Sequence, residues 1–439
     1  MAPPPLDPLL TRLHSALVES PPGRSVWVAL SGGLDSTLLL TLAAAACKET
    51  QTPLKAIHVH HGLQTAAETF EEHCHALCMS LNVPLTVARV SVQLTGQGVE
   101  GAAREARYAA FAEHVPAGDV LWLAQHQNDQ AETFLLAALR GSGIRGLAAM
   151  PYARQWNGVK IVRPWRDAPK QSLERAARAL ALNWCEDPSN VETHFDRNFL
   201  RHRVVPMLGE RWPHGQAAFA AAASQAGEAD ALLSEYALEE LATLRLGIEQ
   251  LDAVALKQRS APRQRLLIRI FCQQLGVPTP PRKRLESLLS QLDAGVDAQV
   301  RVAWGAAEAR VWQQRLYLLA NRDPLPAWQI QWDGRAPLKT PLGEMSLSVE
   351  SKAPLIATWR QGGEVLDLPT RGRRDLKRLL QEANIPPWER ERVIVFWRES
   401  AGCTPRCIAA VYSPSRLCWQ AAGEKVAWHD AHNVNESWG

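Results

Sequence analysis

The six residues Ser31-Gly32-Gly33-Leu34-Asp35-Ser36 lie between two apolar runs of the chain. The preceding run, Val26–Leu30, has the length of a buried strand, and the following run, Thr37–Cys47, is rich in leucine and alanine, which favour helices. A glycine turn between a strand and a helix directs unpaired backbone N–H groups and the positive end of the helix dipole to one spot. The order of these segments therefore predicts an anion-binding loop.

The side chains of this loop indicate which anion it binds. Two glycines allow the backbone to approach an anion closely, and the two serine hydroxyls can donate hydrogen bonds. The Asp35 carboxylate repels phosphate unless a divalent cation lies between them, so we expect a nucleotide pyrophosphate with Mg²⁺. The residues predicted to bind the nucleotide are Ser31, Gly32, Gly33, Leu34, Asp35 and Ser36. Taken alone, the same residues also suit an ordinary turn in which Ser36 helps to cap a helix.

Length and composition limit the class of protein. With 439 residues the chain is long enough for two or three domains of about 150 residues each. Its 46% hydrophobic and 21% charged residues are ordinary for a globular protein, and its formal charge of +3 is too small to indicate a nucleic-acid partner. No apolar run reaches membrane-spanning length, and the first residues lack the pattern of a signal peptide. We therefore expect a cytoplasmic protein that does not bind membranes.

The eight cysteines provide no disulfide framework. None forms a CxxC pair, so we expect reduced thiols, several of them buried. His73-Cys74-His75 together with Cys78 has the composition of a metal cluster, but these residues fall within one predicted helix, Thr65–Leu81. Because no second ligand pair at the usual spacing accompanies them, we interpret them as helix neighbours rather than a zinc site.

Short apolar runs alternate with longer amphipathic ones through the first part of the chain. This alternation predicts βαβ units and an α/β fold with a doubly wound parallel sheet. The predicted strands are Val26–Leu30, Leu54–Val59, Leu85–Val90 and Val120–Ala124. The predicted helices are Thr37–Cys47, Thr65–Leu81, Val99–His114 and Gln130–Leu139. Ligands of such sheets bind at the carboxyl ends of the strands, so residues 31–36, His58–Gly62 and Ala124–Asp129 should converge there.

The remaining sequence indicates two further regions. The predicted elements are a helix stop at Gly141–Gly146, helices at Ser172–Leu182, Ala217–Leu244 and Asp375–Ala383, and strands at Gln299–Trp304 and Arg310–Tyr317. Prolines between residues 324 and 354 indicate a linker or short β segments. We predict a catalytic domain over residues 1–215, a mostly helical middle domain over residues 216–325 and a small α+β domain over residues 350–430.

Two acidic residues occur near the start of the helix predicted after the fourth strand. Asp129 and Glu132 are three residues apart, so both carboxylates face the same side of the helix. Asp followed three residues later by Glu also resembles a capping box, which any helix can use. Because this helix starts at the same edge of the sheet as the glycine loop, we favour a role in binding Mg²⁺ or a substrate ammonium group. Both roles can hold together.

Two groups of arginines carry alternative interpretations. Arg104 shares a helix face with Arg107 and Tyr108, which suits either a solvated surface or a guanidinium clamp for phosphate or carboxylate. Arg197, Arg201 and Arg203 lie close in sequence to the aromatic residue Phe199. A charge run is usually a solvated surface, but phosphate contacts beside a stackable ring are what a single-stranded RNA loop requires.

Several of these segments carry a family resemblance. Residues 31–36 resemble the SGGxDS signature of the PP-loop ATP pyrophosphatases. Further segments, in the same order, resemble signatures of the tRNA(Ile)-lysidine synthetase family: Gly101–Tyr108, Asp129–Thr133, Arg140–Leu147, Trp184–Asn190 and Arg197–Arg201. The resemblance is dense over the first half of the chain and returns weakly at Leu376–Leu380 and Pro386–Trp388.

The resemblance implies a specific reaction. In this family ATP adenylates the ring carbonyl of the wobble cytidine in a tRNA(Ile) with a CAU anticodon, and the amine of L-lysine displaces AMP to give lysidine. Carried onto this chain, it implies catalytic roles for Asp35, Arg104, Asp129 and Glu132. It implies Mg²⁺ binding by Asp35 and Asp129. It implies tRNA contacts by Arg197, Arg201, Arg203, Arg373, Arg374 and Lys377.

Two positions depart from the family pattern, and two rival functions stay open. Gln125 and Asn128 stand where many members have His and Asp, so the charge needed for a metal or an ammonium group falls on Asp129 and Glu132. One rival is a PP-loop tRNA sulfur transferase, which wants paired cysteines near the site. We expect no cysteine beside the three rim loops. The other rival, an inactive tRNA-binding protein, conflicts with the intact glycine loop and acids.

Overall fold

The computed structural model describes residues 6–60, 67–91, 98–186, 192–293, 300–350, 354–400 and 403–429. The chain forms two compact units, Met1–Tyr236 and Ala237–Gly439. Parts of the predicted segments, among them His61, Gly62, Thr65 and Gln299, lie outside the described residues. Within the described ranges, none of the helices combines the length and the apolar character needed to cross a bilayer.

The first unit contains a six-stranded sheet with the order β3-β2-β1-β4-β6-β5. Its strands are β1 Val26–Ala29, β2 Leu54–His60, β3 Leu85–Arg89, β4 Val120–Trp122, β5 Ala153–Trp156 and β6 Val159–Val162. All neighbouring pairs are parallel except β5 with β6. The four predicted strands and the parallel sheet are thus confirmed, whereas the β5–β6 hairpin at one edge was not predicted from the sequence.

Helices cover both faces of this sheet. They are α1 Asp7–Val18, α2 Leu34–Glu49, α3 Ala67–Ser80, α4 Gly98–His114, α5 Gln127–Leu139, α6 Ile144–Leu147 and α7 Lys170–Ala179. Successive residues of β1 point to opposite faces. Val26 and Val28 join the core formed with α1, α2, α3 and α7, while Trp27 joins the core formed with α4. The side chains of β1 therefore pack against helices on both faces of the sheet.

A helical stretch leads away from the sheet. It comprises α8 Asp196–Phe199, a π-helical turn Leu200–Val204, α9 Val205–Arg211 and α10 Gly215–Leu244. π-helical turns inside helices are rare and occur frequently at functional sites. This one contains Arg201 and Arg203, two of the arginines that the resemblance assigns to tRNA.

The second unit begins with helices and an antiparallel sheet. The elements are β7 Arg245–Gly247, β8 Gln250–Asp252, α11 Ala253–Lys257, α12 Ala261–Gln274, α13 Arg282–Ser290, β9 Val300–Trp304, β10 Ala307–Trp312 and β11 Arg315–Ala320. The single strand predicted over Arg310–Tyr317 is wrong. The chain reverses at Gln313 and Gln314, which both adopt positive φ, 46° and 60°, and close a hairpin between β10 and β11.

The last part of the chain is a small α+β arrangement, as predicted. A five-stranded sheet has the order β12-β16-β19-β20-β21, and three two-stranded sheets accompany it. The strands are β12 Gln329–Trp332, β13 Leu338–Thr340, β14 Gly343–Met345, β15 Leu347–Val349, β16 Leu355–Trp359, β17 Val365–Leu368, β18 Gly372–Asp375, β19 Ile394–Ser400, β20 Cys403–Tyr412, β21 Leu417–Gln420 and β22 Val426–Trp428, with one helix, α14 Leu376–Glu382. The short β segments predicted among the prolines are β12 to β15.

Candidate active site

The glycine loop between β1 and α2 is held by its own two serines. The Ser36 hydroxyl accepts a hydrogen bond from the Ser31 backbone N–H at 3.1 Å, lies 3.0 Å from the Ser31 hydroxyl, and donates to the Gly33 carbonyl at 3.1 Å. Gly32 adopts a φ of +87°, and a Cβ atom there would come within 3.0 Å of the Phe70 ring. Only glycine fits this close approach without strain. The α2 helix begins at Leu34, three residues earlier than predicted.

Asp35 and His126 bring two of the predicted rim loops together. The Asp35 Oδ2 atom lies 3.6 Å from His126 Nε2, although the two residues follow different strands. The other carboxylate oxygen, Oδ1, is buried and has no hydrogen-bond partner among the described residues. His126 Nε2 also lies 3.5 Å from Asp129 Oδ2, so the imidazole separates two carboxylates. The loops after β1 and β4 therefore converge as predicted.

The charges around His126 shift two pKa values. Burial alone lowers the pKa of His126, but Asp129 and Asp35 outweigh that effect and raise it above its usual value. Burial raises the pKa of Asp129, but His126, Arg197 and Arg201 outweigh that effect and lower it. The arrangement therefore favours an imidazolium ion between two carboxylates.

Asp129 has a structural contact as well. Helix α5 begins at Gln127 rather than at the predicted Gln130, and the Asp129 Oδ2 atom accepts a hydrogen bond from the His126 backbone N–H at 3.0 Å. Asp129 is thus the residue that caps the helix, whereas Glu132 has other partners. The capping alternative holds for the first acid of the pair and not for the second.

Glu132 is buried and binds two arginines. Arg197 Nε donates to Glu132 Oε2 at 3.0 Å, and Arg201 donates to Oε1 at 2.7 Å through Nε and to Oε2 at 2.8 Å through Nη2. Arg201 Nη2 also lies 3.3 Å from Asp129 Oδ1. Asp129, Glu132, Arg197 and Arg201 form the Glu132 cluster. Two arginines predicted for tRNA thus lie against two predicted catalytic acids, while Arg203 is exposed and contacts neither acid.

Arg104 belongs to a different group of side chains. Its Nη2 donates to the Tyr108 hydroxyl at 3.3 Å, and its guanidinium carbon lies 4.9 Å from the centre of the Tyr108 ring. Arg154 lies 4.6 Å from the same ring and 4.9 Å from the ring of Trp156. The fully buried Arg163 completes the Tyr108 cluster: Arg104, Tyr108, Arg154, Trp156 and Arg163. Burial raises the pKa of Tyr108, but the three guanidinium groups outweigh that effect and lower it.

The two positions that depart from the family pattern have defined partners. The Gln125 side-chain oxygen accepts a hydrogen bond from Arg163 Nε, while Arg163 Nη1 donates to the Pro151 carbonyl at 2.8 Å. The Asn128 amide donates to Gln216 at 2.5 Å, and its oxygen accepts from the Lys170 backbone N–H at 3.3 Å. Both amides therefore make contacts with neighbouring elements rather than with the acids.

The expectation that no cysteine lies beside the rim loops is wrong. The Cys74 sulfur would lie 3.4 Å from a Cβ atom on Gly32, and the Cys185 backbone N–H donates to the Gly32 carbonyl at 2.9 Å. These residues are distant in sequence, so only the fold brings them to the loop. Burial raises the pKa of the Cys74, Cys78 and Cys185 thiols, that of Cys78 to about 11. A protonated thiol is a poor nucleophile and metal ligand.

Asp35 and Asp129 do not form a complete metal site by themselves. They suit a metal ion that phosphate oxygens also bind. In the part of the chain that the structure describes, no group of three or more His, Cys, Asp and Glu side chains is arranged to hold a metal ion. Mg²⁺ usually takes one or two carboxylates and completes its shell with phosphate oxygens and water. The unpartnered Asp35 Oδ1 meets that requirement, whereas both Asp129 oxygens already have partners.

The basic residues predicted for tRNA in the second unit lie on β18 and α14. Arg373 and Lys377 are exposed and Arg374 is half-buried. The neighbouring Arg371 and Arg378 lie 2.8 Å and 3.5 Å from Glu382. Arg374 also interacts electrostatically with Glu382, so Arg373 and Lys377 are the two predicted residues that this acid does not engage.

Comparisons with known proteins agree with this architecture. Three family models match the chain: a PP-loop domain over residues 7–208, a TilS substrate binding domain over residues 251–317 and a TilS substrate C-terminal domain over residues 355–401. The tRNA(Ile)-lysidine synthase of Xanthomonas axonopodis pv. citri is 39% identical over 432 residues, 95% of this chain and 97% of that protein. The Pseudomonas putida protein of the same name is 42% identical over 410 residues, 90% and 95% of the two chains.

A solved structure is similar at the level of one domain. The U34-tRNA thiolase of Methanococcus maripaludis has a TM-score of 0.42 and 15% sequence identity, and the match covers 50% of this chain and 79% of that one. This likeness is too weak to distinguish one activity from another.

Proposed function

This chain belongs to the tRNA(Ile)-lysidine synthase family, and on that premise we propose that it ligates L-lysine to the wobble cytidine of a tRNA(Ile) with a CAU anticodon. In the first step the cytidine carbonyl oxygen attacks the α-phosphorus of ATP, and the bond to pyrophosphate breaks. In the second step a lysine amine attacks the activated ring carbon, and the bond to AMP breaks. The products are lysidine, AMP and pyrophosphate, and a tRNA substrate would place the reaction in the cytoplasm.

The observation that carries this proposal is the approach of Asp35 to the loop after β4. Residues 31–36 would hold the ATP phosphates with backbone N–H groups, serine hydroxyls and the start of α2. Asp35 of this loop and Asp129 of the helix after β4 both lie within 4 Å of His126 Nε2. Asp35 would hold Mg²⁺ through its unpartnered Oδ1 atom, and Asp129 would add a second carboxylate only by giving up a contact to Arg201 or to the His126 backbone. When bound, this ion would neutralise charge on the phosphates as pyrophosphate leaves.

The Glu132 cluster suits an amino acid that carries both charges. Free lysine presents ammonium groups and a carboxylate, and this cluster presents two carboxylates and two guanidinium groups within hydrogen-bond distance of one another. The acids would bind an ammonium group, and an arginine would bind the carboxylate in bidentate form. Lysine would thus exchange partners with an existing network instead of entering an apolar pocket.

Thiolation, the rival reaction, is not favoured. Cys74 and Cys185 lie near the glycine loop, and burial raises the pKa of both thiols. A sulfur carrier needs an accessible thiolate or a cluster of thiolate ligands.

Labelled lysine tests the proposed function directly. The purified protein would be incubated with ATP, radiolabelled lysine and an unmodified tRNA(Ile) transcript with a CAU anticodon, beside a transcript with another anticodon. We expect label on the first tRNA alone, with one AMP released per lysine incorporated. ATP cleavage without lysine incorporation, or incorporation into both transcripts, would contradict the proposal.

A further inference from the structure

The Tyr108 cluster gathers positive charge without a visible counter-charge. Three guanidinium groups surround one phenol, and the groups that influence Tyr108 and Arg163 electrostatically are one another. Among the described residues, the contacts of Arg104, Arg154 and Arg163 are with the Tyr108 and Trp156 rings, the Gln125 amide and the Pro151 carbonyl, and none is an ion pair with a carboxylate. A buried cation is ordinarily paired, because its desolvation is otherwise costly. The described residues therefore leave the charge of this cluster available to an external anion.

The opposite edge of the same sheet shows the ordinary arrangement. Arg89, on edge strand β3, donates to Glu71 at 2.7 Å. Arg154, on edge strand β5, has no such partner, and its Nε atom is buried without a hydrogen-bond acceptor among the described residues. The two edge strands of this sheet therefore differ: the arginine on β3 is paired with a carboxylate, and the arginine on β5 is not.

The β5–β6 hairpin places an aromatic ring beside this charge. Asn157 and Gly158 connect β5 to β6 with φ values of 46° and 84°, the two-residue turn that matches strand twist. Trp156, just before the turn, is 38% exposed, and its ring lies 5.5 Å from that of Tyr108. An exposed ring next to unpaired guanidinium groups provides a surface for a base and a contact for a phosphate.

The Tyr108 cluster adjoins the loop after β4, which contains Gln125 and His126. Arg163 follows the end of β6, which lies parallel to β4, and it donates to Gln125, the residue next to His126. The Tyr108 cluster therefore runs from the carboxyl edge of the sheet along its β5 side. A strand of RNA whose base enters the site at His126 would have its neighbouring backbone near these arginines.

We propose that the Tyr108 cluster binds a backbone phosphate of the single-stranded RNA next to the target cytidine, with the Trp156 ring packing against an adjacent base. This inference rests on the proposed function, because it takes the substrate to be a tRNA loop. It also chooses phosphate over carboxylate for Arg104, the two anions that the sequence left open. Residues 31–36 serve the ATP phosphates, and the Glu132 cluster serves lysine, so the tRNA backbone is the remaining anion of the reaction.

Direct tRNA binding tests the inference without requiring catalysis. Filter binding of labelled tRNA(Ile), with no ATP or lysine present, would be measured between about 50 and 200 mM salt for the full-length protein and for Arg154→Ala, Arg154→Lys and Arg89→Ala. We expect Arg154→Ala to weaken binding roughly tenfold and to flatten the salt slope by about 0.7, because one phosphate contact is lost. Arg154→Lys should keep most of the slope, and Arg89→Ala should match the wild type.

Steady-state kinetics identify which substrate the cluster binds. In Arg154→Ala the KM for tRNA should rise while the KM values for ATP and lysine stay unchanged. A rise confined to ATP or lysine, or unchanged tRNA binding and salt slope, would overturn the inference. Trp156→Ala changes an exposed side chain and should weaken tRNA binding about threefold even if Arg154→Ala folds poorly. Because binding is measured without turnover, failure of the lysine reaction in the wild type would be seen separately.

Discussion

The Glu132 cluster and the Tyr108 cluster are built from the same residue type and differ in what surrounds it. In the first, Arg197 and Arg201 neutralise buried acids at distances of 2.7 to 3.3 Å. In the second, three arginines share one phenol and no carboxylate among the described residues. Paired arginines position acids for chemistry, whereas uncompensated arginines are left to bind an external anion. The arginine count of a region is therefore a poor guide to its role until the counter-charges are known.

The largest expected effect comes from removing Asp35, which separates chemistry from RNA binding. Asp35→Ala should reduce AMP formation at least a hundredfold, because the acid proposed to hold Mg²⁺ against the phosphates is lost. The Kd for tRNA should stay within about twofold of the wild type, unlike that of Arg154→Ala. Single-turnover AMP release and filter binding check the two parts. Asp167→Ala, at an exposed aspartate, is the control, and an Asp35 variant with normal turnover would refute the metal role.

Glu132→Gln tests whether the paired cluster does more than hold the fold. Arg197 would lose its counter-charge and Arg201 would keep only Asp129, so the free energy of unfolding should fall by about 3 kcal/mol. The KM for lysine should rise roughly tenfold or more, with the KM for tRNA nearly unchanged. Denaturant unfolding and steady-state kinetics measure these quantities.

A matched control for that substitution lies in the second unit. Glu308 is also buried and also binds two arginines, Arg301 at 2.7 Å and Arg310 at 2.6 Å. Glu308→Gln should cost similar stability and leave the KM for lysine unchanged. If both variants change lysine kinetics equally, the effect follows from stability and the lysine role of Glu132 is wrong.

The second unit allows the same comparison between basic residues that pair with an acid and basic residues that do not. Replacing Arg373, Arg374 and Lys377 together by alanine should weaken tRNA binding about fivefold and reduce its salt slope, because fewer phosphates are neutralised. Replacing Arg371 and Arg378, which face Glu382, should have a smaller effect. Salt titrations of tRNA binding measure both, and equal slopes for the two variants would show that this surface does not contact RNA.

The smallest expected effect is the pH dependence that His126 contributes. Its folded pKa lies above 6.5, so its charged form stabilises the protein fully below about pH 6.5, and this contribution is lost as pH rises through the folded pKa. The stability difference between wild type and His126→Gln should therefore be larger at pH 6 than at pH 9. Denaturant titrations at both pH values measure it, with His214→Gln, at an exposed histidine, as the control. A constant difference would contradict a charged His126.

Local sequence patterns predicted the part of the fold that local physics controls. The apolar runs and the glycine loop gave β1 to β4, the helices between them and the convergence of Asp35 with Asp129. The β5–β6 hairpin was missed even though Asn157-Gly158 is a strong turn signal, and with it Arg154 and Trp156. The hairpin at Gln313 and Gln314 was missed because two glutamines give no such signal.

The site contained contacts that sequence spacing cannot reveal. Glu132 pairs with Arg197 and Arg201 across more than 60 residues, and Cys185 reaches the glycine loop from the far end of the domain. Arg163 is buried and had no motif to mark it from the residues alone. The proposed roles of the individual site residues therefore depend on the experiments above.

In the proposed reaction, the glycine loop and its acids promote transfer of the adenylyl group of ATP to a tRNA base before lysine reacts, with release of pyrophosphate. The direct measurement starts by incubating the protein with α-labelled ATP and tRNA(Ile) in the absence of lysine. The tRNA of one portion is then isolated under denaturing conditions, and lysine is added to a second, native portion. With the wild type we expect label on the tRNA and its conversion to free AMP when lysine is added, and with Asp35→Ala we expect no labelled tRNA. Label that never reaches tRNA, or that lysine fails to release, would rule out an adenylated tRNA intermediate.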